Sequence, residues 1–408
     1  MKILFFDTWT KGIRNFGRLT NELDKNGFEY KLLHLESWGD SCCSVQCIMG
    51  IDCYDISYYK TSYIYDVLKK EMPDVVLILS LSYLLDRCVV SMCRHLNIKV
   101  VYLAHGKIYM KQGVGNLSSS TSVLKKFSSR LISKPSKILR NYLRFNLVTR
   151  FRPSNVFQTI REFFVHTNQT MFTPYSEEFN VDAGMVYYEE EKKMFEEGRH
   201  FPQGMIFSVG NPEMDYIINQ NVLSREEFLS SIPYTDQKYA LYLDDGFTQE
   251  SIMSYSEWET FISQIYIPLK KKGLGLIIKL HPRTDVSPIS EFLQKENILA
   301  LKDVDFKNII YHSEFVLSHS SSTVIYGMIL NKAVVLPRWG AMANLIHNYP
   351  SDVVYYCETE KDYSKLLESS LLPKDTNEYL STNCGILDGK ATERIIDVIT
   401  HVCENGKG

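Results

Sequence analysis

Two apolar runs that stop abruptly at polar residues constrain the fold of this chain most strongly. The first is Leu274-Gly-Leu-Ile-Ile-Lys-Leu-His281, which continues into Pro282 and Arg283. The second is Phe315-Val-Leu-Ser-His319, which leads into Ser320, Ser321, Ser322 and Thr323. Such runs are typical of parallel strands that are covered on both faces. In open α/β sheets, ligands bind beyond the carboxyl ends of the strands, so the sequence predicts a ligand site there.

A histidine and a run of hydroxyl groups at that edge suit a phosphate. An imidazolium at His281 would neutralise charge, and serine hydroxyls together with helix N-terminal amides would donate hydrogen bonds to the oxygens. Each motif alone has a structural alternative, in which Ser321 or Ser322 caps a helix and His281 only ends a strand. The two motifs together favour a site.

An alternation of strands and amphipathic helices runs through both halves of the 408 residues. The predicted strands are Lys2–Phe6, Tyr30–Leu35, Val75–Leu81, Lys99–Leu103, Tyr239–Leu243, Leu274–Leu280, Phe315–Ser318 and Ala333–Leu336. The predicted helices include Phe16–Asn26, Ile64–Glu71, Leu84–Leu96, Trp258–Lys271 and Thr392–Val402. This rhythm predicts an α/β protein with parallel, doubly wound sheets.

The chain is long enough for two domains with sizeable cores. We expect two Rossmann-like halves with a cleft between them, an N-terminal domain at 1–210 and a C-terminal domain at 211–408. The seam is predicted near Phe207–Tyr216, where Gly210-Asn211-Pro212 is a strong turn signal just before the second series of strands.

Charge and hydropathy exclude some classes of function. The net charge of −3 predicts no bulk attraction to nucleic acid. No apolar run approaches the ~20 residues that a membrane-spanning helix needs. The sequence opens on the strand-like run Lys2–Phe6, so we expect no secretion signal. We therefore expect a cytoplasmic protein that is soluble or peripheral at a membrane.

Nine cysteines, an odd number, are scattered without CxxC spacing. Cys42, Cys43, Cys47 and Cys53 form the only cluster in the sequence. A structural zinc ion is one alternative there. Free thiols in a reducing cytoplasm is the interpretation that we favour.

The stretch 107–161 departs from the rest, because it holds twelve lysines and arginines and no acidic residue. Interleaved apolar residues include Phe127, Leu131, Leu143 and Phe145. Basic and apolar faces together fit an element that lies on an anionic membrane surface. RNA binding is a weaker alternative, since aromatic stacking platforms are not evident. The remaining alternative is a solvated basic face whose apolar side packs on the core.

Two more polar motifs follow apolar runs. Asp244-Asp245-Gly246 comes after Tyr239–Leu243, and His105-Gly106 comes after Lys99–Leu103 and Ala104. Gly246 suits a tight turn that lets a ligand approach the backbone. Asp245 is a candidate general base that takes a proton from a hydroxyl nucleophile, although the aspartate pair also suits a turn without chemistry. His105 is the second candidate base.

The order of these motifs resembles that of bacterial sialyltransferases and polysialyltransferases. Those enzymes carry two acidic residues with a glycine, then His-Pro, then Ser-Ser or Ser-Thr. The matching positions are Asp244–Gly246, His281-Pro282 and Ser321-Ser322.

The C-terminal half is also similar to the CDP-glycerol glycerophosphotransferases of teichoic acid synthesis. The similarity lies in Lys-Leu-His281-Pro, in the serine pair and in Asn331-Lys332-Ala. His105-Gly106 and the stretch 209–215 resemble further elements of that group. Both families share the GT-B fold, with the nucleotide on the C-terminal of two Rossmann-like domains. The resemblance therefore implies an acceptor-side domain at 1–210 and a nucleotide-sugar-binding domain at 211–408.

The resemblance implies roles for individual residues. His281 would contact the donor phosphate and stabilise the departing nucleotide, and Ser321 and Ser322 would hold the phosphate or a sugar carboxylate. The implied donor-binding set is Asp244, Gly246, His281, Pro282, Arg283, Ser320, Ser321, Ser322 and Thr323. The sequence has no DxD motif at these positions, so we expect metal-independent catalysis without a cofactor.

One departure bears on the general base. In sialyltransferases the acidic motif belongs to the N-terminal, acceptor-side domain, whereas Asp244–Gly246 opens the predicted C-terminal domain here. This weakens Asp245 as the base and strengthens His105, which sits where the phosphotransferase group carries a catalytic His-Gly.

The resemblance implies an inverting glycosyltransferase of bacterial capsule, O-antigen or lipooligosaccharide synthesis. It would transfer a nonulosonic acid such as sialic acid from a CMP donor to a hydroxyl of a glycan or lipid-linked glycan, at the inner face of the cytoplasmic membrane. One alternative is a CDP-glycerol-type phosphotransferase or a GT-B transferase with another nucleotide sugar. Another is a non-catalytic scaffold at a membrane surface.

Overall fold

The computed structural model describes residues 1–81, 84–105, 134–149, 181–234, 238–319, 321–340, 343 and 349–404. These residues form two compact units. The first comprises residues 1–215 and 384–408, and the second comprises residues 216–383. The predicted domains, 1–210 and 211–408, assign the C-terminal segment differently from these units.

The first unit is built on an eight-stranded sheet. Its strands are β1 (Lys2–Asp7), β2 (Glu29–His34), β3 (Val45–Ile48), β4 (Ile51–Asp55), β5 (Val75–Ile78), β6 (Lys99–Leu103), β7 (Ala183–Val186) and β8 (Ile206–Ser208). Their spatial order is β3-β4-β2-β1-β5-β6-β7-β8, and every pair is parallel except β3 with β4. The central strands are continuous apolar runs because helices cover both faces of a parallel sheet.

The described helices of this unit before its C-terminal segment are α1 (Ile13–Gly17), α2 (Thr20–Lys25), α3 (Ile64–Glu71), α4 (Leu84–His95), α5 (Lys134–Thr149) and α6 (Glu189–Glu196). The boundary between the two units, after residue 215, lies within α7 (Pro212–Asn219). The single helix predicted over Phe16–Asn26 is wrong, because α1 and α2 are separate. Gly17 ends α1, and a Cβ on Gly17 would lie 2.9 Å from the Met49 side chain. A glycine needed for close packing also weakens helix continuation.

The C-terminal segment belongs to the first unit for a specific reason. Helix α15 (Ala391–Glu404) buries Ile395, Ile396 and Ile399 in the core of the first sheet. The carboxylate of Asp215 accepts hydrogen bonds from the amides of Ala391 and Thr392, at 3.1 and 2.8 Å. The motif predicted as the seam therefore also anchors the start of this last helix.

The second unit contains a six-stranded sheet that is parallel throughout. Its strands are β9 (Tyr239–Leu243), β10 (Gly275–Lys279), β11 (Leu299–Leu301), β12 (Phe315–Leu317), β13 (Ala333–Pro337) and β14 (Tyr355–Cys357). The spatial order is β11-β10-β9-β12-β13-β14. Numbered within the unit this is 3-2-1-4-5-6, the Rossmann order. In this order, the second and third strands are added on one side of the first strand, and the fourth to sixth strands are added on its other side. The switch point lies between β9 and β12.

The described helices of the second unit are α8 (Arg225–Ser230), α9 (Tyr255–Lys271), α10 (Ser290–Glu296), α11 (Phe306–Tyr311), α12 (Val324–Ile329), α13 (Glu360–Glu368) and α14 (Asn377–Cys384). Helix α9 begins at a capping box, because the Ser254 hydroxyl accepts from the Glu257 amide while Glu257 accepts from the Ser254 amide. Trp258, Ile262 and Ile265 on one side of α9 are buried in the core of the second sheet. The α/β class with parallel, doubly wound sheets is confirmed.

Helix α5 is the part of the basic segment 107–161 that the structure describes. Tyr142 and Phe145 are buried in the core of the first unit, so Phe145 is not available for the membrane insertion that the sequence predicted. Asn141 accepts from the Ile64 amide at 2.8 Å, and Arg144 forms an ion pair with Asp66 at 3.2 Å. The side of this helix that carries Tyr142 and Phe145 packs on the core, whereas Leu147 and Val148 are exposed. Membrane binding by the rest of the segment, which lies outside the described residues, stays a prediction.

Across the described ranges, the structure contains no helix whose length and apolar character would let it span a membrane.

Candidate functional site

The carboxyl edge of the second sheet collects the polar motifs that follow β9, β10 and β12. Asp244 comes directly after β9 and is buried. Its Oδ2 accepts hydrogen bonds from the hydroxyl of Thr284, at 2.6 Å, and from the amide of His281, at 3.2 Å. Asp244 therefore fastens the end of β9 to the turn that follows β10.

Asp245 makes the equivalent connection on the other side of β9. Its Oδ2 accepts from the hydroxyl of Ser318, at 3.3 Å, and from the amide of His319, at 3.2 Å. Both donors follow β12, so the bond bridges the two strands that flank the switch point. This oxygen has a positioning role, and the predicted role of Asp245 as general base stays a prediction.

Gly246 brings the backbone against the imidazole of His281. Its φ of +74° lies in the left-handed region that favours glycine. A Cβ on Gly246 would lie 2.9 Å from His281 Nδ1 and 3.2 Å from His281 Cβ. The backbone angle and the close approach both require a glycine here, and the approach fixes one face of the imidazole.

A turn after β10 sets the orientation of the His281 ring. The Thr284 amide donates to the His281 carbonyl at 2.9 Å, so residues 281–284 form a β-turn with Pro282 at its second position, which proline favours. The Arg283 amide donates to His281 Nδ1 at 3.2 Å. Since Nδ1 accepts, the neutral ring carries its proton on Nε2, which makes Nε2–H a donor for a ligand.

The surroundings of His281 favour the neutral form of its ring. Burial and then the positive charge of Arg283 lower the pKa of His281, against the opposing effect of Asp244. The predicted imidazolium that meets a phosphate stays a prediction. A bound phosphate would favour the protonated ring, because an opposite charge nearby raises the pKa of an imidazole.

The remaining predicted donor-binding residues are less constrained by the fold. Arg283 is exposed and pairs with Glu250 at 2.5 Å. The Ser321 hydroxyl lies 2.7 Å from the Thr323 hydroxyl and accepts from the Thr323 amide at 3.3 Å, which is a local turn bond. Ser322 is exposed, and Ser320 lies outside the described residues. Their donor contacts stay predictions.

The carboxyl edge of the first sheet carries His105 after β6. Its Nδ1 lies 2.8 Å from the carbonyl oxygen of Leu79, which follows β5. A carbonyl only accepts, so Nδ1 carries the proton and the neutral ring keeps a lone pair on Nε2. The His105 side chain is exposed, and this tautomer is the one that a general base needs. Gly106 lies outside the described residues.

Asp7, at the end of β1, is the second titratable group at this edge. Burial raises the pKa of Asp7, against the opposing effects of hydrogen bonds from Thr8 and of the nearby His105. A Cβ on Gly12 would lie 1.8 Å from Asp7 Oδ2, so the turn at Thr10–Gly12 covers the carboxylate only because residue 12 is a glycine. A carboxyl group with a raised pKa holds its proton more readily at neutral pH.

A third group at the first edge was missed in the sequence, and it comprises His34, Asp55 and Cys42. Burial lowers the pKa of His34, against Asp55 and Glu36. Burial alone would raise the pKa of Asp55, but hydrogen bonds from Ser37 and Ser57 outweigh it and hold the value below the ordinary one. Burial and then Asp55 raise the pKa of the Cys42 thiol to about 11. His34 lies next to the end of the predicted strand Tyr30–Leu35, but no strand was predicted over Ile51–Asp55, so the sequence carried a signal for His34 only.

No family model matches this chain, and no curated protein matches it. Solved structures do match over almost the whole length. UDP-GlcNAc 2-epimerase from Neisseria meningitidis, bound to UDP-GlcNAc, is 14% identical with a TM-score of 0.53, covering 98% of this chain and 100% of the other. A variant of the wall teichoic acid polymerase TagF is 10% identical with a TM-score of 0.56, covering 99% and 89%. CalG4, the calicheamicin glycosyltransferase, is 12% identical with a TM-score of 0.52, covering 99% and 98%.

These likenesses establish the fold. The GT-B class predicted from the sequence, with two Rossmann-like units, is confirmed. The identities are too low to carry over a reaction, a donor or any residue's role.

Proposed function

We propose that this chain is a transferase that binds a nucleotide-activated donor at the carboxyl edge of its second sheet. The observation that carries the proposal is the contact of the His281 imidazole with Gly246, next to the switch point of a 3-2-1-4-5-6 sheet. Ligands of such sheets bind at this position. The three solved structures support a nucleotide-linked substrate and group transfer by what their names say of them, UDP-GlcNAc binding, polymerase and glycosyltransferase.

In this proposal His281 stabilises the departing nucleotide. Negative charge develops on the leaving phosphate in the transition state, and preorganised donors aimed at that charge lower the barrier. The Nε2–H of His281 is such a donor, since the Arg283 amide occupies Nδ1 and Gly246 fixes the ring. The hydrogen bonds of Asp244 and Asp245 hold the three strand ends in place, so little reorganisation is needed.

We assign the general base to His105 rather than to Asp245. An inverting transfer to a hydroxyl needs a base that removes its proton. The Nδ1–H of His105 donates to the Leu79 carbonyl, which leaves Nε2 to accept a proton. One oxygen of Asp245, in contrast, already accepts two hydrogen bonds that tie β9 to β12.

The donor that we propose first is a CMP-linked nonulosonic acid, on the order of the motifs Asp244–Gly246, His281-Pro282 and Ser321-Ser322. The second candidate is phosphotransfer from a CDP-glycerol-type donor, which the likeness to TagF favours, as a related TagF structure was soaked with CDPG. In both reactions a cytidine nucleotide departs from the same edge.

A donor panel separates these candidates. The full chain is incubated with CMP-, CDP- and UDP-linked donors and a glycan acceptor, and nucleotide release is followed together with the mass of the acceptor. Release of CMP with a gain of one nonulosonic acid supports the first reaction. A gain of glycerol phosphate with release of CMP supports the second. If no donor gives turnover and none binds, the result would contradict the proposal of a transferase. It would instead favour the alternative of a non-catalytic scaffold.

A further inference from the structure

His34, Cys42 and Asp55 meet at a corner of the first unit that the proposed transfer reaction does not use. His34 is the last residue of β2, Asp55 is the last residue of β4, and the register pairs these two directly across the parallel strands. Cys42 lies in the connection that leads from β2 to β3. One ligand atom of each residue lies within 4.8 Å of the others.

The His34 imidazole is buried without the hydrogen bonds that a buried ring needs. Its side chain is 0% exposed, and neither ring nitrogen makes a hydrogen bond to any residue that the structure describes. The Nδ1 atom lies 3.4 Å from Asp55 Oδ2, but not in hydrogen-bond geometry. A buried polar group without a partner is destabilising, so this ring either lowers the stability of the fold or contacts a group that the protein alone does not supply.

The Asp55 carboxylate is a second buried group, and among the described residues its one ion-pair contact is with His34, which is charged only when it is protonated. The carboxylate is 0% exposed and accepts from the amides of Ser37, at 3.0 Å, and Ser57, at 2.9 Å. Within the described part of the chain, no lysine or arginine forms an ion pair with Asp55. Buried charges are ordinarily paired or bound to metal ions.

We propose that His34, Cys42 and Asp55 bind one divalent transition metal ion of the zinc type. A nitrogen, a thiolate sulfur and a carboxylate oxygen are the ligands that zinc takes in proteins, and a tetrahedral ion accepts three of them with one further ligand. Glu36 is the candidate fourth ligand, because its Oε2 lies 3.9 Å from His34 Nδ1. On binding, the Cys42 S–H bond breaks, a metal–sulfur bond forms, and the proton leaves to solvent without any redox change.

The surroundings of the cluster agree with an ion that exchanges with solvent. Cys42 is half-buried, whereas its two strand-end partners are fully buried, so the cluster opens on the side of the thiol. The site would tie together β2, β4 and the connection that carries Cys42. The site uses Cys42 from the cysteine cluster that was predicted to contain free thiols. Its other two ligands, His34 and Asp55, lie outside that cluster.

The test is metal binding by the full chain after dialysis against a chelator, with Zn²⁺ and then Co²⁺ as probes. Wild-type protein should take up one equivalent of Zn²⁺, and the Co²⁺ form should show a thiolate-to-cobalt charge-transfer band. Cys42→Ser should lose that band and weaken Zn²⁺ binding by at least ~10-fold, since even outer-shell changes cost 10–100-fold. Cys43→Ser, which changes the exposed neighbouring thiol, is the matched control and should bind as the wild type does.

His34→Gln extends the test to the buried ligand, and circular dichroism establishes whether it folds. If it does not fold, Cys42→Ser still decides the question because Cys42 is only half-buried. The proposal is overturned if the wild type takes up no stoichiometric Zn²⁺, if Cys42→Ser binds as tightly as the wild type, or if Cys43→Ser loses binding equally. His281→Ala should leave Zn²⁺ binding unchanged, so this result is independent of the proposed transferase activity.

Discussion

At the carboxyl edge of the second sheet, Asp244 and Asp245 accept hydrogen bonds from the segments that follow the neighbouring strands. At the edge of the first sheet, in contrast, two histidines keep ring nitrogens to which no described residue forms a hydrogen bond. Asp244 and Asp245 each accept two hydrogen bonds through Oδ2. At the first edge, His105 keeps a lone pair on Nε2. His34 has neither ring nitrogen hydrogen-bonded within the described ranges.

This difference separates two tasks that a transferase needs. The edge of the second sheet, with its preorganised Nε2–H donor on His281, suits an anionic leaving group. Donors that do not need to reorganise stabilise developing charge best. An edge with a basic nitrogen and a carboxyl group of raised pKa suits proton transfer. The predictions that follow test each half of this assignment, beginning with the largest expected effect.

Removal of the His281 imidazole, which carries the Nε2–H donor, should have the largest effect on turnover. His281→Ala is expected to lower kcat by ~10²-fold or more, the loss that follows removal of one transition-state donor. His401→Ala, a change of an exposed histidine in α15, is the control and should keep wild-type turnover. A correctly folded His281→Ala enzyme with near-normal kcat would remove His281 from the mechanism.

The contact between Gly246 and His281 gives the next effect, and the chain offers a matched control for it. Gly246 and Gly273 have φ values of +74° and +70°, but a Cβ on Gly273 would meet nothing within 4 Å. Gly246→Ala and Gly273→Ala should each lose about 1–2 kcal/mol of stability from the left-handed backbone. Only Gly246→Ala should also weaken donor binding, by roughly 10-fold, since a misplaced group costs up to ~10²-fold.

Measured unfolding free energies and donor dissociation constants for the two alanine variants decide this point. Equal losses of donor affinity in both variants would mean that backbone strain, rather than the position of the imidazole, controls binding.

Particular residues show how far the sequence alone reaches. Strand β9 agrees with the prediction residue for residue, because an apolar run between polar ends is a local signal. The separation of α1 from α2 depends on packing between Gly17 and Met49, and the return of α15 depends on Asp215, which lies 176 residues from Ala391. Such tertiary contacts have no local signature.

The candidate site follows the same division. The residues within Asp244–Gly246, and those within His281-Pro282, are consecutive in the sequence, so each set was recognisable as a motif. His34 and Asp55 are single residues that become neighbours only because β4 lies beside β2 in the sheet. The sequence did not reveal that strand order, so it did not reveal the cluster.

The pH dependence of kcat/KM tests the assignment at the first edge. A base must be deprotonated, so kcat/KM should show a limb that falls as pH drops through the pKa of the base. His105→Ala should remove this limb with a loss of 10²–10⁴-fold, and Asp245→Asn should keep it. If Asp7 is the base, Asp7→Asn removes the limb instead, and the limb lies above the ordinary carboxyl range because burial raises the pKa of Asp7.

The most direct test of the account is a calorimetric titration of the full chain with CMP, CDP and UDP, before any reaction is assayed. The account predicts saturable binding of at least one cytidine nucleotide to the wild type and to His401→Ala. It predicts that His281→Ala binds about 10–100-fold more weakly, since a hydrogen bond to a charged group contributes ~1.5–3 kcal/mol. Equal affinity in wild type and His281→Ala, or no binding of any of the three nucleotides, would contradict a nucleotide site at the edge of the second sheet.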